Sequence, residues 1–61
     1  MGKFEIRFSR KSREFYFVLI AANGEVIATS EMYQTKAGAR KGIRSVRKNA
    51  ILSTITDTTI Y

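Results

Sequence analysis

The sequence predicts an α+β fold in the order β-β-β-α-β, an antiparallel meander sheet packed on one helix. Three observations carry this expectation. Apolar residues alternate with period two in the first half of the chain, an Asn23-Gly24 pair separates two of the alternating runs, and the period lengthens to that of a helix after Thr35. The 61 residues leave room for one domain, 1–61, with no linker, repeat or low-complexity segment.

Phe4, Ile6 and Phe8 alternate with Glu5 and Arg7, the signature of a half-buried first strand. Ser9 to Arg13 is polar and basic and reads as a turn. In the second strand Phe15, Phe17, Leu19 and Ala21 alternate with Tyr16, Val18, Ile20 and Ala22, so both faces are apolar. Asn23-Gly24 predicts a two-residue type I′ turn, which needs positive φ at both central residues. A third strand follows, from Glu25 to Ser30. With Ala22 opposite Glu25, Leu19 faces Ala28 and Ala21 faces Val26. One sheet face then gathers Phe15, Phe17, Leu19, Ala21, Val26 and Ala28 with Phe4, Ile6 and Phe8. The other carries Tyr16, Val18, Ile20 and Ile27 among Glu5, Arg7 and Thr29.

Thr35 is placed to cap a helix from Lys36 to about Ala50, because its hydroxyl can accept a first-turn backbone N–H. Ala39, Ile43, Val46 and Ala50 form one narrow apolar stripe. Lys36, Arg40, Arg44 and Arg47 line one flank. Gly38, Gly42, Ser45 and Asn49 line the other, where small side chains point either to the close approach of another backbone or to ordinary tolerance of glycine in a helix. Ile51 to Tyr61, rich in threonine and isoleucine, favours a fourth strand.

A chain this short buries only about 60% of its unfolded surface, and domains of this size usually need disulfides, a metal or a partner subunit. The chain has no cysteine and no histidine, so the partner remains. The same absence removes the usual neutral-pH general base and the soft metal ligands. Glu25 and Glu31 do not form a carboxylate pair of catalytic spacing, and Gly38 and Gly42 match no phosphate-binding loop. No enzyme, cofactor or metal site is therefore expected. Met1 to Glu5 leads straight into the alternating pattern without a signal-peptide core, and the longest apolar run, Phe15 to Ala22, is far short of a membrane span. A cytoplasmic protein with no membrane partner is the expectation.

The net charge of +6 is localised. Lys36, Arg40, Lys41, Arg44, Arg47 and Lys48 lie in one stretch without an acid, while five cations and five acids balance over the rest of the chain. Cations spaced by three and four along a helix can follow a phosphate backbone, which makes these six residues candidates for nucleic-acid binding. The bland reading is a solvated helix face, whose last-turn cations also suit the helix dipole. Tyr16, Val18, Ile20 and Ile27 would form an apolar patch on a monomer, and with Gly38, Gly42, Ser45 and Ile60 they are the candidate dimer contacts. A C-terminal segment of the same chain covering the patch is the alternative.

The run Ala21-Ala22-Asn23-Gly24-Glu25-Val26-Ile27-Ala28-Thr29-Ser30-Glu31, followed by Tyr33, Lys36-Ala37, Gly42-Ile43, Ser45-Val46 and Asn49-Ala50, resembles the YegP-like family of small bacterial proteins. The resemblance extends from Phe4 to Ala50. Met32, in place of a usual glycine, Ile20, in place of a common lysine, and a tail without the usual proline depart from the family pattern. The resemblance implies a β-β-β-α-β unit that occurs in tandem or as a single-copy homodimer. It further implies one continuous sheet across two units, with exchange of their C-terminal strands. With one copy of the unit present, it points to the homodimer. It implies no established activity and supplies no catalytic or binding motif.

Overall fold

The structure, a computed structural model, describes residues 1–59. Its elements run β1 (Lys3–Ser9), β2 (Glu14–Ile20), β3 (Val26–Thr29) and α1 (Lys36–Ala50), an α+β arrangement. The sheet is antiparallel with strand order β1-β2-β3, so β2 is central and β1 and β3 are edges. Directly opposed residues share a face. The pairs Phe4↔Leu19, Ile6↔Phe17 and Phe8↔Phe15 therefore assemble the aromatic face expected from the alternation.

Phe17 is the hub of that face. Its ring meets Phe4 edge-on at 5.8 Å and stacks on Tyr33 at 6.0 Å, while Phe8 and Phe15 pair edge-on at 5.1 Å. Such ring pairs contribute about 0.5–1.5 kcal/mol beyond the area they bury. The core of the single chain is small: among the described residues, the buried apolar side chains are Phe17, Val18, Ile20 and Ala39.

The β2–β3 connection differs from the predicted type I′ turn. Gly24 alone in this loop has positive φ, at 90°. Gly24 N–H donates to Ala21 O (2.9 Å) and Ala21 N–H to Glu25 O (2.8 Å), so the loop holds three residues, closed by Ala21 and Glu25. Asn23 Oδ1 accepts from Glu25 N–H at 3.1 Å and so supports the loop from its side chain instead of by a left-handed backbone. The longer loop shifts the register. Leu19 faces Ala28 as expected, but Val26 lies opposite Ile20 rather than Ala21, with Ile27 inserted between. Val26 therefore leaves the aromatic face, as a one-residue insertion requires.

Beyond β3 the chain stays on β2. Ser30 N–H donates to Phe17 O, Ser30 Oγ accepts from Phe17 N–H, and Tyr33 and Phe15 exchange two backbone hydrogen bonds of 2.7 Å. This run delivers Tyr33 to the sheet–helix seam. Thr35 then caps α1 as expected, its Oγ1 accepting from Gly38 N–H at 2.9 Å.

The fourth strand predicted for Ile51–Tyr61 does not form over residues 51–59, which carry no strand and are exposed. Strand propensity reflects fit to a pleated, half-buried surface, and residues 51–59 join neither edge strand, β1 or β3. Residues 60 and 61 lie outside the described residues, and with them the candidate contact Ile60.

Candidate functional site

Helix α1 has three sectors. Ala39, fully buried, and half-buried Ile43 turn towards the sheet, and Val46 stands beside it. At 100° per residue, Lys36, Arg47, Arg40, Arg44, Lys48 and Lys41 follow in that order round an arc of about 140°. All six are exposed. Among the described residues the ion pairs are those of Glu5 with Lys3 and with Arg7, so no helix cation is neutralised. Shallow hollows of about 360 and 310 Å³ separate the arginines, one lined by Arg40, Ile43, Arg44 and Arg47, the other by Arg44, Arg47, Lys48 and Ile51.

The third sector holds Gly38, Gly42 and Ser45, proposed from sequence as a surface that meets another backbone. At Gly38 and Gly42 the neighbour within the chain is the Tyr33 side chain, while Ser45 is exposed. A Cβ on Gly42 would lie 2.8 Å from Tyr33 Cζ and 3.1 Å from Phe17 Cε2, and one on Gly38 would lie 3.5 Å from Tyr33 Cβ. The glycines make a seat for an aromatic ring. Asn49, on the same flank, donates from Nδ2 to Ser45 O at 2.8 Å.

On the sheet face away from the aromatic cluster, Val18 is 2% and Ile20 9% exposed within the single chain. The bare patch expected there is therefore corrected for both residues, and residues 51–59, the alternative cover, are themselves exposed. Register sets Glu5 beside Val18, Lys3 beside Ile20 and Arg7 beside Tyr16. Arg7 Nε donates to Glu5 at 2.7 Å and Lys3 Nζ lies 3.9 Å away, forming a charged row along β1 on that face. The hydrogen bond from Arg7, followed by the nearby charges of Arg7 and Lys3, holds the Glu5 carboxyl below its ordinary range. Arg7 is shifted up, first by Glu5 and then by Tyr16. Of the four candidate contacts here, Tyr16 is half-buried and Ile27, in the bulge, is the exposed one.

An apolar surface is open elsewhere. Phe4, Phe17, Leu19, Ala28, Tyr33 and Val46 line a groove of about 300 Å³ between α1 and the sheet, with Thr29, Ser30 and Glu31 at its side. Sequence reasoning did not single it out. The signal was present in the mismatch between a broad apolar sheet face and a helical stripe too narrow to cover it. Near the end of α1, Ile51, Leu52 and Ile55 are 79%, 90% and 96% exposed. Among the described residues no cluster of metal-ligating side chains occurs and no helix is long and apolar enough to cross a membrane.

The comparisons agree with this architecture. A family model described as a domain of unknown function, DUF1508, matches residues 11–57. A UPF0339 protein of Treponema denticola is 61% identical over 49 residues, covering 80% of this chain and 83% of its own. The UPF0339 protein YegP of Escherichia coli K12 is 53% identical over 49 residues, covering 80% of this chain but 44% of its own. The chain thus spans less than half the length of YegP, and likewise 43% of a Photorhabdus laumondii relative. A protein from Haloferax volcanii, solved in solution by NMR, superposes with a TM-score of 0.83 at 28% identity, covering 93% of this chain and 95% of its own. With the sheet, the helix and most of the chain matched, this protein belongs to the YegP-like DUF1508 family, whose function is unknown.

Proposed function

We propose that the protein is a non-catalytic, homodimeric structural and interaction module of the cytoplasm, in which each copy completes the other's apolar surface. In this reading Ile51, Leu52 and Ile55 of one copy enter the groove lined by Phe4, Leu19, Ala28 and Val46 of the other. The neighbouring residues extend the partner's sheet by strand exchange. The observation that supports it is the coexistence of three apolar side chains at 79–96% exposure with an unfilled apolar groove of about 300 Å³. Burying one such side chain contributes about 1.5–3 kcal/mol, so leaving all of them in water is expensive for so small a core. β3 is an edge of the sheet, and the unpaired backbone groups of an edge strand are what an added strand requires.

The direct experiment refolds an equimolar mixture of isotope-labelled and unlabelled protein and records isotope-filtered NOEs. Intermolecular NOEs between the Ile51, Leu52 and Ile55 methyls and Phe4 or Leu19 are expected. A dimer lacking them would remove the groove from the interface.

A second reading, nucleic-acid binding through Lys36, Arg40, Lys41, Arg44, Arg47 and Lys48, is favoured by one observation. Six exposed cations with no ion-pair partner among the described residues cover a continuous arc of α1. None of the six cations lines the apolar groove, and the two readings meet only at Ile51, which lines the hollow between Arg44, Arg47 and Lys48.

A further inference from the structure

We propose that the cation arc of α1 binds the phosphate backbone of double-stranded nucleic acid without reading its sequence. This rests on the nucleic-acid reading above and names the form of the ligand. Arg40, Arg44 and Arg47 rise about 10 Å along the helix, and Lys36 and Lys48 extend the row to about 18 Å. A duplex carries one phosphate per 3.4 Å of each strand's axis, so the row spans several charges. Guanidinium groups grip phosphate with two parallel N–H donors, and three arginines at the centre of the row suit that contact better than ammonium groups alone.

Each competing polyanion lacks a counterpart here. An interfacial membrane helix needs a continuous free apolar face, but that side of α1 is turned to the sheet at Ala39 and Ile43, and the exposed Ile51, Leu52 and Ile55 lie beyond the end of the helix. An acidic protein interface is normally anchored by aromatic or aliphatic side chains; beside the cations of the arc stand Ala37, half-buried Ile43 and Ile51, the last of which the dimer reading places in the partner's groove. Single-stranded nucleic acid is gripped by aromatic stacking, yet α1 has no aromatic residue. Tyr33 is occupied against Phe17, and Tyr16 lies on the sheet opposite Arg7. Base-edge readers are missing too. The arc has no Asn or Gln, and Asn49 lies on the glycine flank bonded to Ser45. What remains is a row of charge that fits a ridge of phosphates.

Fluorescence anisotropy of the whole protein with two 20-base-pair duplexes, one G·C-rich and one A·T-rich, and with a single strand of equal length tests this across a salt series. The two duplexes should bind within about threefold of each other and more tightly than the single strand. The log K against log salt slope should be roughly −3 to −5, for three to five phosphate contacts. Arg40→Gln/Arg44→Gln should flatten the slope by about 2. Arg10→Gln/Lys11→Gln, which removes the same charge from the β1–β2 loop, should leave it near the wild-type value. Equal flattening by both variants would overturn the assignment to α1. Tighter binding of the single strand, still dependent on Arg40 and Arg44, would overturn the duplex while leaving nucleic-acid binding intact. No binding to any of the three at 50 mM salt would end both.

Discussion

The residue that most constrains this molecule is Gly42, because two aromatic rings occupy the space a side chain would need. Alanine is the better helix former by about 1 kcal/mol, yet a Cβ here would sit 2.8 Å from Tyr33 Cζ and 3.1 Å from Phe17 Cε2. We expect Gly42→Ala to lower stability by about 1–3 kcal/mol in urea unfolding, overpacking outweighing propensity. An unchanged or raised midpoint would show that Tyr33 is free to move aside. Glu5 makes a pH-dependent contribution. Its folded-state pKa is lowered by Arg7 and Lys3, so its stabilisation is present above the ordinary carboxylate range and is lost as the pH falls through the lowered value. The stability difference between wild type and Glu5→Gln should be present at neutral pH and vanish in acid, as followed by unfolding midpoints across pH. The spacing of Gly38, Gly42 and Ser45 showed that something comes close. It did not show that the visitor is Tyr33, because that contact depends on how residues 30–33 run along β2.

At the scale of elements, local chemistry was a good guide wherever the determinant was local. The alternation in β1 and β2, the Thr35 cap and the extent of α1 all follow from neighbours in sequence. Replacing Thr35 by alanine should cost about 1 kcal/mol, read as a lowered urea midpoint, since its Oγ1 satisfies Gly38 N–H. The β2–β3 loop was less legible. Asn-Gly is compatible with both a two-residue and a three-residue loop, and the choice of the second moved Val26 to the opposite face and inserted Ile27. Gly24, with φ 90° and open space around it, should be sensitive to alanine through its backbone alone. The threonine- and isoleucine-rich tail was read as a strand from composition. Over the described residues 51–59 it forms no strand, since β structure needs a pairing partner that sequence cannot place.

The whole molecule joins a small buried core to large exposed apolar side chains. Its fold class and family could be read from the residues. The open groove could not, because it arises from the width left uncovered when one narrow helix crosses a three-stranded sheet. Val18 and Ile20, expected at the interface, are already buried. The proposed contact surface moves accordingly to the groove, β3 and residues 51–59. Leu52→Asp/Ile55→Asp should weaken self-association at least tenfold while leaving the far-UV circular dichroism of the folded unit in place. Sedimentation equilibrium of the wild-type protein at micromolar concentration bears most directly on this account. A species of twice 6.9 kDa is predicted, and a stable, well-folded species of 6.9 kDa across the same range would contradict it.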